Sequence, residues 1–341
     1  MGSVKDLEII KKPIKDRTGI GRFHFSDRYS VFDWGEMPDK IKNKGKALCM
    51  IGAFFFEKCS ERGIKTHYRG LVENGKVKRI DEVDLPVNTM EIKLLRVLKP
   101  ELKDFGYDYS VFKNVNKNYL IPLEVIYRNI IHKDSSIFRR LREGKSLREL
   151  GLEKVPVPGE KLEKPLIDFS TKLEEKDRYL SKKEALEISG LKNEDFRKMI
   201  SVAMKLNELI SEEIGKVGIV NEDGKFEFGL DDDANIMVVD VFGTPDECRF
   251  KFGGVEISKE VLREYYRGTK WYKEIERVKG EKEWKKRINA VPEKVPEELR
   301  KVVEKMYMAT CNEITGRKFF DVDSLREVIA TYIEIKEKYF I

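Results

Sequence analysis

Lys225-Phe226-Glu227-Phe228-Gly229-Leu230 is followed by Asp231-Asp232-Asp233-Ala234 and then by Asn235-Ile236-Met237-Val238-Val239-Asp240-Val241-Phe242. Two apolar-rich runs flank a cluster of turn formers, which predicts a β-hairpin. Side chains alternate across a strand. Lys225 and Glu227 therefore share one face, and Phe226 and Phe228 point to the core. A turn centred between Asp233 and Ala234 sets Glu227 directly opposite Asp240. Two facing carboxylates repel unless a cation lies between them. Mg²⁺ is a hard ion held by one or two carboxylates together with substrate phosphates. Glu227 and Asp240 are thus the candidate metal ligands, set against the alternative of a polar strand face with routine ion pairs.

The neighbouring segments extend this reading. Residues 1–34 read as a hairpin: LEIIKKPIKD is one strand, RTGIG the turn and RFHFSDRYSVFD the return. The two turn glycines would supply positive φ. Residues 44–62 read as a helix closed by Gly63. KTHYRGLV, KVKRIDEV, MEIKLLRVL and YLIPLEVIYRNII read as strands. Helices are expected over 135–150, 182–216 (capped by Ser181 and stopped at Gly215), 258–279, 296–312 and 322–339. Strands dominate the first third and helices end the chain, so the class is α+β with a mostly antiparallel sheet. GIGRFHF lacks the GxGxxG spacing of a dinucleotide site.

Composition narrows the function. The chain has 341 residues, 40% of them hydrophobic, enough for one large domain or two medium ones. Its longest apolar run, Ala47 to Phe56, is far short of the roughly 20 residues of a membrane span. MGSVKDLEII has no signal-peptide pattern, so a cytoplasmic protein without a membrane partner is expected. The 67 basic and 61 acidic residues interleave, which does not suggest a nucleic-acid partner. Charged residues at 38% and the absence of glutamine suit a thermophile. Cys49, Cys59, Cys248 and Cys311 have no CxxC spacing and read as reduced thiols. His24, His67 and His132 are too scattered for a zinc cluster.

Four further segments carry chemistry. Thr244-Pro245-Asp246-Glu247-Cys248-Arg249-Phe250 offers Arg249 for a bidentate contact to phosphate or carboxylate. Ser26-Asp27-Arg28-Tyr29-Ser30-Val31-Phe32-Asp33 precedes the lysine-bearing helix start Lys44-Gly45-Lys46, where anions are favoured or where the residues simply cap the helix. Glu124 to Asn129 places Arg128 at a strand end ahead of Ser135 and Ser136, a plausible phosphate cradle. Ser170-Thr171-Lys172-Leu173-Glu174-Glu175-Lys176-Asp177 sets a lysine among hydroxyls and acids.

Taken in order, these segments resemble the SAICAR synthetase family of purine-pathway ligases. Ser26 to Asp33 matches its SDR-x-S-x-FD segment, Lys44 to Leu48 its KGE-x-L helix start, and Pro122 to Arg128 its P-x-E-x-x-x-R strand. Ser170-Thr171-Lys172 with Asp177 matches STK-x-E and its downstream aspartate. Lys225, Glu227 and Asp240 match the K-x-EFG hairpin, and Thr244 to Arg249 the TPD-x-x-R turn. Lys259 with Arg263, and Thr315-Gly316, complete the series.

The resemblance implies an N-terminal antiparallel lobe (1–125), a mixed α/β ATP-binding lobe with terminal helices (126–341), and an active-site cleft between them. It implies ligation of 5-aminoimidazole-4-carboxylate ribotide (CAIR) to L-aspartate with ATP and Mg²⁺. On that pattern Lys225, Asp33, Lys172 and Asp177 are catalytic. Ser30, Arg128, Ser136, Arg249 and Arg263 bind substrate. Lys11, Lys12, Lys15, Glu124, Glu227 and Asp240 serve ATP, with Glu227 and Asp240 on the metal. A homodimer is a further expectation.

The chain departs from the pattern in places. The GK-x-R strand is matched at Ile9-Ile10-Lys11-Lys12, without its glycine. Val241 stands where the family often has a second acid. Residues 97–118 and 270–295 are insertions. A paralogous amide ligase with another amine or acid, or a kinase-type phosphotransferase, therefore stays open at this point.

Overall fold

Two antiparallel sheets meet at the end of one short strand, and that meeting point creates the site. The computed structural model describes residues 4–279, 281 and 283–339. Strands β1 (Lys5–Lys11) and β2 (Gly19–Phe25) form the first hairpin, and helix α1 (Lys44–Glu61) follows. Strands β3 (Tyr68–Glu73), β4 (Lys76–Lys78) and β5 (Thr89–Leu94) complete a five-stranded sheet ordered β1-β2-β5-β3-β4. Strands β6 (Glu101–Lys103) and β7 (Gly106–Asp108) make a separate small hairpin.

Strand β8 (Tyr119–Ile131) opens the second sheet, followed by α2 (Ser136–Arg142), β9 (Glu160–Thr171) and β10 (Tyr179–Leu180). Helices α3 (Lys182–Ser189) and α4 (Asn193–Gly215) lead to β11 (Ile219–Leu230), β12 (Ile236–Val239), β13 (Cys248–Phe252) and β14 (Val255–Glu256). The order is β10-β9-β8-β11-β13-β14, with β12 also paired to β11. Helices α5 (Glu260–Arg267), α6 (Lys270–Val278), α7 (Glu297–Thr315) and α8 (Leu325–Tyr339) end the chain. The α+β class and the antiparallel pairing agree with the sequence reading. The expected lobe boundary after residue 125 falls inside β8. No helix among the described residues is long and apolar enough to cross a membrane.

Alternation explains the second sheet. Val125, Phe169 and Phe226 stand side by side on one face and are buried under α4 with Tyr127. The opposite face carries the polar residues of the site. The first sheet is covered by α1, whose buried Leu48, Ile51, Phe55 and Phe56 make it hydrophobic nearly all round. The sheets join where His67 N–H donates to the Val238 carbonyl (3.0 Å) and Val238 N–H donates to the Lys65 carbonyl (2.9 Å).

Several expectations are corrected. Leu230 pairs with Ile236 and Glu227 with Val239, so Glu227 is not directly opposite Asp240. The connecting loop is five residues long, because the Asp231 carboxylate accepts from the Asp233 and Asn235 amides and Ala234 turns left-handed. Its centre is Asp233, half a residue short of the expected turn. Gly19 and Gly21 lie inside β2 with no positive φ. They are glycines because a Cβ at Gly19 would stand 2.1 Å from the Lys11 carbonyl oxygen and one at Gly21 2.9 Å from that of Glu8.

The helix expected over 182–216 is broken at Gly190. Its φ of 74° and its contact with the Phe112 backbone favour glycine there. The helix expected over 258–279 is also broken, with Thr269 capping α6. The helix expected over 135–150 ends at Arg142.

Candidate active site

Register lays the polar face out as a lattice. One row crosses the sheet as Ser170, Glu124, Glu227 and Val239 on β9, β8, β11 and β12. Another crosses as Leu166, Arg128, Asp223 and Arg249 on β9, β8, β11 and β13. Glu124 and Arg128 are four residues apart on one face, so the rows lie about 13 Å apart.

The first row is a lysine–carboxylate cluster. Lys172 Nζ is 2.5 Å from Glu227 Oε1 and 3.5 Å from Glu124 Oε1. Lys225 Nζ is 2.7 Å from Glu124 Oε1 and 3.5 Å from Glu247 Oε2. Asp240 follows β12 with φ 56°, a left-handed turn that no β-strand residue adopts, and its Oδ1 lies 2.6 Å from Lys5 Nζ. The chain thus turns Asp240 towards Glu227 by a backbone kink instead of by strand pairing. Burial raises the Glu227 carboxyl above the usual range, and the Asp240 charge raises it further. Burial acts the same way on Asp240, but Lys5 and then Lys172 outweigh it and keep that carboxyl down. The buried Glu227 carboxylate and the half-buried Asp240 carboxylate, with Glu124 and Glu247 beside them, are an oxygen-donor set that fits a divalent cation.

Val241 faces away from this cluster. It is buried, with Cγ1 only 2.9 Å from where a Cβ on Gly52 of α1 would stand. Glu247 is the additional acid of the cluster.

The second row is an arginine cluster. Arg128 donates to Ser136 Oγ (3.2 Å) and Asp168 Oδ2 (3.4 Å), and Arg140 also pairs with Asp168. Arg249 pairs with Asp223 (2.6 Å) and Glu260 (3.4 Å). Arg263 and Arg267 meet Glu260 at 3.0 and 2.7 Å. Nε of Arg128 and of Arg140 are buried donors with no acceptor. Orphaned guanidinium donors in a cationic cluster suit a phosphate. Ser135 caps α2 by accepting from the Ile137 amide, which separates it from Ser136, the hydroxyl that meets Arg128.

Two loops border the rows. Asp177 is exposed at the cleft mouth. Desolvation there and then the Glu124 charge push its carboxyl up to about 6, against the pull of Lys225 and Lys172. Asp33 follows Phe32, and both are left-handed, at φ 62° and 55°. Lys279 Nζ meets the Asp33 carboxylate at 2.9 Å, and Ser30 is half-buried in the same loop. The insertions brace these loops. Tyr107 Oη accepts from the Glu175 amide (3.0 Å) and Tyr109 Oη donates to Glu174 (2.8 Å). Lys279, just beyond α6, ties Asp33, and Lys176 Nζ donates to the Glu281 carbonyl (3.3 Å).

The structure therefore gathers Lys172, Lys225, Glu124, Glu227 and Asp240 at one end. It gathers Arg128, Ser136, Arg249 and Arg263 at the other. Lys11, Lys12 and Lys15 are exposed and not part of either cluster. Lys11 stands six residues along β1 from Lys5, about 20 Å away. Lys44 is no anion ligand. It is buried in a 2.8 Å ion pair with Asp246, while Asp27 accepts the Asn43 and Gly45 amides at the start of α1. Lys5, Glu247, Arg140 and Arg267 escaped the sequence reading. Lys5 carried a signal, since Gly2-Ser3-Val4-Lys5 has the glycine and basic residue of GK-x-R at the right spacing.

Known proteins share this architecture. The SAICAR synthetase family model matches residues 14–278. A protein of Archaeoglobus fulgidus, provisionally named phosphoribosylaminoimidazole-succinocarboxamide synthase, is 54% identical over 99% of this chain and 100% of its own length. The phosphoribosylaminoimidazole-succinocarboxamide synthase of Thermoplasma volcanium is 35% identical over 87% of this chain and 93% of its own. A solved SAICAR synthetase in complex with ADP superposes with a TM-score of 0.60 at 22% identity, over 93% of this chain and 97% of that one, a likeness of fold. Sequence identity along most of the chain and a shared fold agree: the chain belongs to the SAICAR synthetase family.

Proposed function

We infer that this chain is an ATP-dependent ligase that joins CAIR to L-aspartate, giving SAICAR, ADP and phosphate in purine biosynthesis. The observation that carries this reading, within the family, is the pair of clusters on one sheet face. The lysine–carboxylate end suits a nucleotide triphosphate with its cation, and the arginine end suits a ribotide phosphate. The γ-phosphoryl group moves to a carboxylate oxygen of CAIR as its bond to ADP breaks. The aspartate amine then attacks the acyl carbon, a C–N bond forms, phosphate leaves and the amine loses a proton.

The residues act mainly by positioning and charge. Lys172 and Lys225 offset the charge carried by the transferred phosphoryl group. Lys5 takes the phosphate-binding role expected of Lys11, Lys12 or Lys15. Glu227 and Asp240 would hold Mg²⁺, which when bound neutralises phosphate charge, and Glu124 orients both lysines. Arg128, Ser136, Arg249 and Arg263 hold the ribotide, while Ser30 and Asp33 line its path. Asp177, with its raised carboxyl, accepts the amine proton.

A cytoplasmic location accords with this pathway, and the ion-pair density suits a thermophilic source. A homodimer is supported by β1, an edge strand exposing Leu7, Ile9 and Ile10. Steady-state assay with CAIR, L-aspartate and Mg·ATP should release ADP, and no release overturns the reading. Glu227→Gln and Asp240→Asn should each abolish turnover with an unchanged circular dichroism spectrum. Near-wild-type activity in either removes the metal assignment.

A further inference from the structure

His132, one residue past the end of β8, Glu222 on β11 and Glu256 on β14 are all more than nine-tenths buried. One donor atom from each can be chosen so that all lie within 4.8 Å of one another. They line a cavity of about 470 Å³ beside α8, which Lys251 also lines. The residues of the catalytic rows do not line it.

Three features point to a ligand. Glu222 Oε2 is buried with no hydrogen-bond partner. His132 Nε2 and Glu256 Oε1 are 3.4 Å apart, the edge expected of a tetrahedron with metal–ligand bonds of about 2.1 Å. A cation already sits among the carboxylates: Lys251 Nζ is 2.7 Å from Glu222 Oε1 and 3.5 Å from Glu256 Oε1. Its side chain is 28% exposed, so the ammonium can withdraw to solvent along its flexible stem.

We propose that His132, Glu222 and Glu256 form a second metal site, which binds Zn²⁺ in exchange for the Lys251 ammonium. The imidazole nitrogen selects a borderline ion over Mg²⁺ or Ca²⁺, and three protein donors leave an open position for water. Coordination through Nε2 places the ring proton on Nδ1. Asp134 Oδ2 lies 3.7 Å from Nδ1, and on metal binding it would close by roughly 1 Å or less to accept that proton while the Asp134 amide gives up its 3.1 Å bond to Nδ1. Such a carboxylate behind a ligating histidine is a common outer partner. Asp134 also pairs with Arg267 at 3.2 Å, and Arg267 with Glu260 of the arginine cluster. The metal site therefore borders the phosphate end of the cleft through one shared carboxylate.

The test is calorimetric titration of the full chain, freed of metal with a chelator, using ZnCl₂ alone. A Co²⁺ titration read by the visible bands of tetrahedral cobalt gives the geometry. Wild type should bind one equivalent. The equivalent should vanish in His132→Ala and in Glu256→Gln, which covers the case in which the histidine variant does not fold. Lys251→Met should tighten binding, and Asp134→Asn should weaken it about tenfold. The Glu227→Gln/Asp240→Asn double variant should retain the equivalent, since its sites are elsewhere. Absence of binding in wild type, retention in a folded His132→Ala, or weaker binding in Lys251→Met overturns the proposal.

Discussion

Lys5, at the start of β1, closes a 2.6 Å ion pair with Asp240 just past the end of β12, so the cation of one sheet lies on the carboxylate of the other. Lys5 Nζ also lies over the Phe23 ring, 5.1 Å from its centre, a cation–π contact. A charge-assisted contact of this type contributes about 2 kcal/mol, or roughly 30-fold in binding. Lys5→Ala should raise the KM for ATP by roughly that factor, and Lys5→Arg should restore most of it. Lys11→Ala, Lys12→Ala and Lys15→Ala should leave KM for ATP at the wild-type value. Steady-state kinetics with ATP as the varied substrate measure all five, and an unchanged KM in Lys5→Ala would remove the assignment.

Glu227 was legible from local alternation, whereas Lys5 was marked only by the spacing of Gly2 and Lys5 in the family's pattern. Alternation along Lys225 to Leu230 is local, so the shared face of Lys225 and Glu227 and the burial of Phe226 and Phe228 could be read directly. The approach of Asp240 could not. Strand pairing sets Glu227 against Val239, and only the left-handed turn at Asp240 brings the two carboxylates together. Lys5 belongs to a strand of the other sheet, and no periodicity within residues 5–11 indicates which lysine will meet β12. At the Lys44-Gly45-Lys46 segment the sequence leaves both an anion site and a helix cap open, and the cap is what forms, through Asp27. The lysine charge suggests the anion site, but the partner that buries Lys44 is Asp246, two hundred residues away in sequence.

Ser136 is the gentlest probe of the arginine end. Its hydroxyl accepts from Arg128 at 3.2 Å and is half-buried, so Ser136→Ala removes one hydrogen bond without creating a large void. Losing about 1 to 1.5 kcal/mol should raise the KM for CAIR roughly tenfold, with the KM for ATP unchanged. Arg128→Ala should weaken CAIR binding more, but should also lower thermal stability, because it leaves Asp168 and Asp223 short of a cation. A normal KM for CAIR in both variants would separate this cluster from the ribotide phosphate.

Asp177 gives the reaction a pH signature. Desolvation and Glu124 push its carboxyl up to about 6 from an ordinary 3.8. Above about 6 it is ionised and can accept a proton, and below that it is protonated and cannot. The kcat/KM profile should therefore fall on the acid side with a midpoint near pH 6, a limb set by the free enzyme. Asp177→Asn should lower kcat and remove that limb. Glu124→Gln removes the repelling charge and should move whatever limb remains towards lower pH. A limb that keeps its midpoint in Asp177→Asn would assign it to another group.

The Lys44–Asp246 pair ties α1 to the loop that carries Glu247 and leads into β13 with Arg249, and its energetics follow from burial. Both side chains are almost fully buried, and Tyr307 Oη donates to Asp246 at 2.7 Å. Burial pushes the Asp246 carboxyl up, but Lys44, Lys259 and the Tyr307 hydroxyl more than reverse this and hold it at about 2, below its ordinary 3.8. A depressed carboxyl contributes stability that is present above 3.8 and is lost as pH falls through about 2, an amount of about 2.5 kcal/mol. Lys44→Met leaves Asp246 buried without its main partner and should cost about 3 to 5 kcal/mol. Lys44→Met/Asp246→Asn removes both charges and should recover much of that loss, since a matched neutral pair avoids desolvating an ion. Urea unfolding at pH 7 measures wild type, Lys44→Met, Asp246→Asn and the double variant, which close the cycle. Additive losses in the double variant would show that the two charges contribute independently and that the ion pair is not what fixes this loop.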